Sequence, residues 1–299
     1  MKFIITGGAG FIGSHLAEEL IKQGNEVIII DDLSLGVEKN IPKEAIFIKG
    51  KSSKILDISE RINGIFHLGI PSSSPMYKEN PYLVGETINE AIAIFEYAKK
   101  NNYKIVYAST SSIYNGNPLP YKEDMPIYVT DYYTECRYAI ERLAKLYYDL
   151  YKVKSIGLRL FSVYGPREEH KGKYANIISQ FLWNIIKDQS PIIYGDGNQT
   201  RDFIYVDDVV NAFILAMKKD IEYDIFNIGT GKNYSFNEVI KIINNYLGKD
   251  IKPIYKLNPI KNYVYHTLAD ITKAEKILGF KARISIEEGI KRIIEKLIT

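Results

Sequence analysis

Residues 6–14 read TGGAGFIGS, a glycine-rich stretch between an apolar run and a segment with helical spacing. Gly7, Gly10 and Gly13 give the pattern G-x-x-G-x-x-G. A turn this tight needs residues without Cβ, and close approach of the backbone to a diphosphate needs the same small residues. The helix that follows offers free N–H groups and a positive dipole end to the phosphates. The stretch therefore predicts a dinucleotide-binding turn.

The segments around this turn alternate between strand and helix. Strands are predicted at residues 2–6, 26–31, 64–68, 104–109 and 155–160, with shorter ones near 192–194 and 202–205. Helices are predicted at residues 11–24, 81–100, 131–151, near 175–187, from 206 onward, and after the capping boxes at 235–238 and 285–288. Such alternation is typical of an α/β protein with a doubly wound parallel sheet.

Composition argues against several classes of protein. The chain has 299 residues, a net charge of +3 and no visible basic patch, so we expect no nucleic-acid partner. Its apolar runs fall far short of the ~20 residues that a membrane span needs, and residues 1–10 lack the regions of a signal peptide. We therefore expect a cytoplasmic protein without membrane contact. One cysteine and four scattered histidines predict no metal site.

The predicted second strand ends in two carboxylates, Asp31 and Asp32. In a dinucleotide-binding unit, a carboxylate at this distance from the glycines accepts hydrogen bonds from the adenosine ribose. The same negative charge would repel a 2′-phosphate. The cofactor predicted from the sequence is therefore NAD rather than NADP.

Ordered motifs run along the chain: TGGAGFIGSHL (6–16), DDLSLG (31–36), FHLG (66–69), STSSIY (109–114), RLFSVYGPR (159–167) and GDGNQTRDFIYVDDVV (195–210). This set resembles the extended short-chain dehydrogenase/reductase family, and within it the nucleotide-sugar 4-epimerases. The resemblance implies a Rossmann domain at 1–162, completed by about 200–230, and a smaller C-terminal α/β domain at 163–299 for a nucleoside diphosphate sugar. The implied reaction is 4-epimerisation of UDP-glucose and UDP-galactose by transient oxidation at C4.

The resemblance also implies which residues contact the ligands. Those implied for NAD are Gly7, Gly10, Phe11, Ile12, Gly13, Asp31, Asp32, Ser34, Gly36, Leu68, Gly69, Tyr133 and Arg137. Those implied for the nucleotide sugar are Thr110, Ser111, Tyr133, Ser162, Asn176 and Arg201, with residues 72–74 and Tyr164 in the sugar pocket. Arg201 would hold the substrate diphosphate, a role that suits a bidentate guanidinium.

Residues 131–139, DYYTECRYA, contain the expected catalytic pair. Oxidation of a sugar hydroxyl needs a base for its proton, and a tyrosine with a usual pKa of ~10 needs a nearby cation to act as one. Tyr133 and Arg137 are four residues apart and therefore share a helix face. The residues that follow resemble the family's run after its lysine, which selects Tyr133 over Tyr132. Thr110 matches the family's catalytic Ser or Thr.

Several positions depart from the family pattern. Arg137 replaces a lysine that also contacts the nicotinamide ribose, and its planar guanidinium is not equivalent to an ammonium. Lys51 stands where the family often has an aspartate near the adenine. Ile260 and Tyr263 stand where many epimerases have Arg and Asp, so one usual substrate contact is missing.

Other functions stay open at this point. A 4,6-dehydratase would need an Asp-Glu pair where this chain has Ser111 and Ser112, and a decarboxylase usually has a glutamate near the same place, so both are disfavoured. A reductase that releases its cofactor would show the same motifs. The altered catalytic pair also leaves open an NAD-binding regulatory protein without catalysis.

The helices at 81–100 and 131–151 carry more aromatic residues than one buried stripe requires: Phe95, Tyr97, Tyr147 and Tyr148. Related enzymes pair the equivalent helices of two subunits, so we expect a homodimer. The alternative is that these aromatic side chains pack within one subunit.

Overall fold

The computed structural model describes residues 1–259 and 261–298, and a seven-stranded sheet lies at its centre. The strands are β1 (Lys2–Thr6), β2 (Glu26–Asp31), β3 (Ile46–Lys49), β4 (Gly64–His67), β5 (Ile105–Thr110), β6 (Ser155–Leu160), β7 (Ser162–Tyr164), β8 (Ile192–Tyr194), β9 (Thr200–Arg201), β10 (Phe203–Tyr205), β11 (Tyr223–Ile228), β12 (Tyr234–Ser235) and β13 (Ile254–Lys256). The sheet order is β11-β6-β5-β4-β1-β2-β3, and every neighbouring pair is parallel.

The helices connect these strands. They are α1 (Phe11–Lys22), α2 (Ser74–Glu79), α3 (Leu83–Asn101), α4 (Tyr132–Tyr151), α5 (Ile177–Ile186), α6 (Val206–Lys218), α7 (Phe236–Leu247) and α8 (Ile286–Ile298). Short 3-10 turns lie at Glu38–Asn40, Ser52–Asp57, Ser111–Tyr114 and Glu169–Tyr174, and a π turn at Ala274–Leu278. Ser235 begins α7 through a capping box with Glu238, as the sequence predicts.

Both faces of the sheet are covered because its strands are apolar on both sides. Successive side chains of a strand point to opposite faces, so Ile4 and Ile5 of β1 enter different cores although both are fully buried. Ile5 packs in a cluster with residues of α1 and α6, such as Leu16 and Phe213. Ile4 packs in a cluster with residues of α3 and α4. The result is the doubly wound α/β layer structure expected from the sequence.

A smaller unit follows β6, built from α5, α7, α8 and three two-stranded sheets. The pairs β7–β10 and β8–β13 are parallel, and β9–β12 is antiparallel. Its core is a separate apolar cluster that includes Phe181, Phe203 and Phe236. Ile12 of α1 and Val163 of β7 pack against both this cluster and the main core, and so join the two units.

The structure shifts some predicted boundaries and adds strands that the sequence patterns do not indicate, among them β3 and β11 of the central sheet. α1 ends at Lys22, two residues before Gly24, and β5 lies one residue later than predicted, ending at Thr110. β11 was missed because Asp224 and Asn227 interrupt its apolar pattern. Since β11 extends the central sheet and α6 packs against α1, chain beyond residue 162 contributes to the first unit. The division into domains at residue 162 stays a prediction.

The aromatic residues on α3 and α4 pack inside the subunit. Phe95 stacks on Tyr147 with ring centroids 5.1 Å apart, and both rings are buried. Tyr148 stacks in the same way on Tyr223 at 5.5 Å. These side chains therefore fit the alternative stated above and do not support a dimer. The exposed apolar residues of α4 include Leu146 and Leu150, at 53% and 66% exposure.

A buried ion pair fixes α4 against the carboxyl ends of β5 and β6. Arg159 of β6 contacts both carboxylate oxygens of Glu141 at 2.7 and 3.0 Å, and both side chains are at most 4% exposed. Ser109 of β5 donates to the same carboxylate at 2.6 Å. Arg159 also donates to the Tyr114 hydroxyl, which donates to Asn227 of β11 at 2.8 Å. The network therefore ties three strands to the helix that carries Tyr133 and Arg137.

We expect Glu141→Gln to destabilise the fold by about 3–5 kcal/mol, because the substitution leaves the guanidinium of Arg159 buried without a countercharge. Asp149→Asn is the matched control on the same helix, since it removes an exposed pair with Lys145 and should cost at most about 1 kcal/mol. Urea unfolding of both variants measures the difference. Equal effects of the two substitutions would contradict a structural role for the buried pair.

Candidate functional site

A cavity of about 480 Å³ lies at the carboxyl ends of the central strands, where ligands bind in open parallel sheets. It is called the first cavity below. Of the residues implied for NAD, those that line it are Gly7, Gly10, Phe11, Ile12, Gly13, Asp31, Asp32, Ser34, Gly36, Leu68, Gly69 and Arg137. Tyr133 is the one implied cofactor residue that is not among the lining residues in the described part of the chain.

The glycine turn leaves no room for side chains between the backbone and a ligand. Gly7 has φ +72°, and a Cβ on Gly13 would lie 2.1 Å from the Gly7 carbonyl oxygen. Helix α1 begins at Phe11 after Gly10, which provides no side-chain cap. The N–H groups of the first turn are therefore directed at the cavity without a capping side chain. This geometry fits the diphosphate of a dinucleotide.

The carboxylates at the end of β2 lie in the wall of the same cavity. Asp31 is 7% exposed and accepts from the N–H groups of Ala9 at 3.0 Å and Leu33 at 2.8 Å. Burial raises the pKa of Asp31 above its usual value. Each carboxylate oxygen can accept a second hydrogen bond, so Asp31 can still bind a ribose hydroxyl. This placement fits the adenosine ribose of NAD.

Lys51 occupies the neighbouring end of the cavity. Its ammonium pairs with Glu86 of α3 at 3.1 Å, and both side chains are about half exposed. Lys51, at the position where the family often has an aspartate, is therefore part of an ion pair at the entrance of the cavity. Glu86 and Glu90 also line the cavity, a contribution of α3 that no sequence motif indicates.

Tyr133 and Arg137 face one another on α4. The guanidinium carbon of Arg137 lies 5.1 Å from the centroid of the Tyr133 ring. Arg137 is 5% exposed and donates to the carbonyl oxygens of Ala108 at 3.0 Å and Pro71 at 3.1 Å. The arginine is thus fixed to the ends of the sheet by main-chain groups, and its positive charge lies in the cavity wall beside Tyr133.

The neighbouring residues agree with the choice of Tyr133 in the pair. Tyr132 is 52% exposed, whereas Tyr133 is buried with its ring 5.7 Å from that of Tyr77. Cys136, four residues after Tyr132, is buried and accepts a weak hydrogen bond from Tyr77. Thr110 is also buried, and its hydroxyl accepts from the Ser112 N–H at 3.2 Å as the cap of the turn Ser111–Tyr114.

A second cavity of about 370 Å³ adjoins the first, and Ala175 and Asn176 line both. Its other lining residues include Ser162, Arg201, Phe236 and Tyr263. Three of the predicted substrate residues therefore come together here. Thr110 and Ser111 are not among the lining residues of either cavity in the described part of the chain. Ile260 lies outside the described residues.

Arg201 is held in the second cavity by aromatic rings rather than by a carboxylate. Its guanidinium carbon lies 5.6 Å from the ring centroid of Phe236 and 5.4 Å from that of Tyr263. It donates to the carbonyl oxygens of Thr200 at 2.9 Å and Tyr265 at 3.0 Å. Burial lowers its pKa from the usual value. A largely desolvated cation with these partners is suited to bind an anionic ligand.

Several predicted substrate residues have structural partners. Asn176 caps α5 through the Ile178 N–H at 3.0 Å and donates to the Val163 carbonyl at 2.9 Å. Tyr164 was expected in the sugar pocket, and this is wrong. Its ring is fully buried in the core of the smaller unit, where the short β7 turns it towards α8. Ser72 lines the first cavity, whereas Ser74 donates to Asp131.

His67 has no solvent contact at the end of β4. Its Nδ1 lies 2.7 Å from the Thr6 hydroxyl, and burial lowers its pKa to about 3. The residue is therefore neutral near pH 7, and it receives no catalytic role. Within the described residues no group of three or more His, Cys, Asp and Glu side chains could hold a metal ion, and no helix is long and apolar enough to cross a membrane.

Comparisons with known proteins agree with this site. The model of the NAD-dependent epimerase/dehydratase family matches residues 3–229. A putative UDP-glucose 4-epimerase of Methanocaldococcus jannaschii is 40% identical over 300 residues, covering 97% of this chain and 96% of that protein. A UDP-N-acetyl-alpha-D-glucosaminuronate decarboxylase of Bacillus cytotoxicus is 33% identical over 312 residues, covering 98% and 97%.

Among solved structures, UDP-glucose 4-epimerase of Thermotoga maritima with UDP-glucose superposes with a TM-score of 0.94 and 31% identity, covering 100% of this chain and 99% of that one. The fold and the cofactor site define an NAD-dependent enzyme of the epimerase/dehydratase class. The chain belongs to the NAD-dependent epimerase/dehydratase family, and its cofactor is NAD.

Gly13→Ala should prevent stable NAD binding, because its Cβ would overlap the Gly7 carbonyl and force the turn open. We expect less than roughly a tenth of the purified variant molecules to carry NAD. For a protein near half-saturation, this requires a loss of only ~1.4 kcal/mol in binding free energy. Gly85→Ala is the control, since its Cβ would meet no atom within 4 Å in α3. Nucleotide released on denaturation is measured by chromatography, and full NAD in Gly13→Ala would refute the assignment.

Proposed function

We propose that the protein is a UDP-glucose 4-epimerase that interconverts UDP-glucose and UDP-galactose. The observation that supports this most is the placement of Tyr133 and Arg137 beside the first cavity, with Arg201 in an adjoining cavity. One cavity suits NAD and the other suits a nucleoside diphosphate, so a sugar would lie between them. Bound NAD would accept a hydride from C4 of the sugar and return it to the opposite face of the 4-keto sugar.

Tyr133 would take the proton of the C4 hydroxyl as the hydride leaves, and would give it back when the hydride returns. The proton and the hydride both return to the sugar, so no further reactant is needed. The guanidinium of Arg137 lies beside the Tyr133 ring and would stabilise negative charge that develops there during the reaction. Because Arg137 is fixed by the carbonyls of Ala108 and Pro71, its charge is in place before substrate binds. Thr110 would bridge the tyrosine and the sugar oxygen.

The charges of the second cavity favour a neutral sugar over a uronic acid. Arg201 is the one residue with a formal charge among those that line it in the described part of the chain. A nucleoside diphosphate would use this cation for its phosphates, which leaves none there for a sugar carboxylate. UDP-glucose and UDP-galactose therefore fit better than the acidic sugars of some relatives. Tyr263 would form the wall where many epimerases have an aspartate.

A decarboxylase or a reductase is the second candidate, because the family includes decarboxylases and a reductase needs the same pair. Ser111 and Ser112 stand where a dehydratase would have acidic residues, which disfavours dehydration. Incubation of the protein with UDP-glucose, UDP-galactose and UDP-glucuronate, followed by chromatography of the products, separates these activities. Carbon dioxide release or net NAD reduction would contradict an epimerase.

A homodimer and a cytoplasmic location stay predictions. The prediction of a dimer now rests on the exposed Leu146 and Leu150 of α4 rather than on the buried aromatic residues. Apolar side chains exposed side by side on one helix commonly mark a protein interface. Light scattering at micromolar concentration tests the dimer directly.

Tyr133→Phe should lower kcat by ~10² to 10⁴, the usual cost of losing a general base, while NAD stays bound. Only the ionisable oxygen is lost, because the phenyl ring still packs against Tyr77 and Arg137. Tyr132→Phe is the matched control and should change kcat little, because Tyr132 is half exposed whereas Tyr133 is buried. A loss below about tenfold in Tyr133→Phe would show that another group takes the proton.

Arg137→Lys tests whether the arginine replaces the family's lysine in function. If a positive charge beside Tyr133 is what matters, the lysine variant should keep its activity and Arg137→Met should lose it. The bound NAD of each variant is measured in parallel to separate catalysis from cofactor loss. An inactive natural protein that gains activity on Arg137→Lys would instead support the regulatory alternative.

A further inference from the structure

The turn Glu169–Tyr174 crosses from the smaller unit to the first cavity, and no motif assigns it a role. It contributes His170, Lys171 and Tyr174 to the cavity wall. On the outside of the same turn, Lys173 pairs with Glu79 at the end of α2 at 2.7 Å, and the Tyr174 hydroxyl donates to the same carboxylate at 2.6 Å. The turn therefore lines the cavity with one set of side chains and is fixed to α2 by another.

Lys171 is the cation of this turn that faces the glycine-rich stretch. Its ammonium lies 5.3 Å from the ring centroid of Phe11, the first residue of α1. The side chain is only 13% exposed and pairs with Glu168 at 2.9 Å. An ammonium that the protein shields from water to this degree needs polar partners.

Glu168 pairs with Lys171 but accepts a hydrogen bond from only part of the donors of the lysine ammonium. The carboxylate is 1% exposed and also accepts from the Asn176 N–H at 3.0 Å and the Ser179 hydroxyl at 2.6 Å. Glu168 therefore has three fixed donors and is well satisfied. An ammonium has three donors, of which Glu168 takes one. The remaining donors of Lys171 lie in the cavity wall beside Phe11.

The segment before the turn is fixed to the same helix. The His15 ring lies 3.1 Å from the Pro166 carbonyl, and Arg167 pairs with Glu18. Both partners, His15 and Glu18, belong to α1. Lys171 and the N-terminus of α1 are therefore held by one set of contacts, so the lysine keeps its position relative to the glycine turn.

The distribution of charge around the cavity indicates that Lys171 can bind an anionic group there. Asp31 and Asp32 lie close to the glycine turn, and a diphosphate there would be repelled by them. The other cations of the cavity wall in the described chain are engaged elsewhere, Lys51 with Glu86 and Arg137 with two carbonyls beside Tyr133. Lys171 is the one that lies against the first residue of α1.

We propose that Lys171 binds the diphosphate of NAD, as the side-chain counterpart of the N–H groups of α1. A positive side chain and a helix N-terminus then approach the phosphates from two directions. The buried carboxylate of Glu168 orients the ammonium. The proposal does not depend on which sugar the enzyme converts.

Lys171→Met should weaken NAD binding by about tenfold or more, the usual effect of losing a charged hydrogen bond. Lys173→Met is the matched control, because it removes the same charge from the same turn but from the side that pairs with Glu79. Its affinity for NAD should stay within about twofold of the natural protein. Calorimetric titration of nucleotide-free full-length protein gives both dissociation constants.

Further arms of the experiment separate a ligand contact from a structural role. Lys171→Arg should keep most of the affinity for NAD, whereas Lys171→Gln should lose it like the methionine variant. The glutamine variant replaces the methionine variant in the test if Lys171→Met does not fold. Binding of ADP-ribose should weaken with NAD, whereas binding of adenosine, which has no phosphates, should not change. Equal weakening of adenosine, or equal loss in Lys173→Met, would overturn the proposal. Weaker UDP-glucose binding with unchanged NAD binding would overturn it too, because the lysine would then serve the substrate diphosphate.

Discussion

The close contact between Gly13 and the Gly7 carbonyl is the constraint on which the rest of the site depends. Because no side chain fits there, α1 can begin directly at the edge of the sheet with its first N–H groups exposed to the cavity. The same helix then contacts the segment at Pro166 and Arg167 and joins the two cores through Ile12. A change in the turn would therefore affect cofactor binding and the position of the smaller unit together.

The proposed catalytic pair depends on a different kind of support. Arg137 has main-chain carbonyls as partners, so its charge is not neutralised by a carboxylate next to Tyr133. One helical turn later, Glu141 is fully neutralised by Arg159. A single helix thus carries one charge that is available to the site and another that is used only to hold the helix. This division explains how an arginine can take the family's lysine position without a nearby acidic partner.

Local patterns in the sequence were enough for much of the fold. The strands at residues 2–6 and 26–31 agree with the structure because their central residues form uninterrupted apolar runs, and the capping residue of α7 is a short-range signal. The strand at residues 155–160 also agrees, although it contains Arg159, because Ile156, Leu158 and Leu160 alternate with the other residues. β11 could not be found in this way, since Asn227 is polar and is stabilised by a tyrosine more than a hundred residues away. Tyr164 was misplaced because its motif says nothing about the direction of its ring. The contribution of Lys171 likewise arises from tertiary contacts.

Asn176 contributes to both cavities, and its main chain donates to the carboxylate that orients Lys171. A ligand that displaces Asn176 in one cavity must also move a group in the other. Binding energies that are connected in this way are reciprocal, so a sugar nucleotide that tightens the hold on the dinucleotide is itself held more tightly by the dinucleotide-loaded protein. For the proposed epimerase, which would have to keep its cofactor through a whole cycle, such cooperativity would protect the keto sugar stage from escape of either molecule.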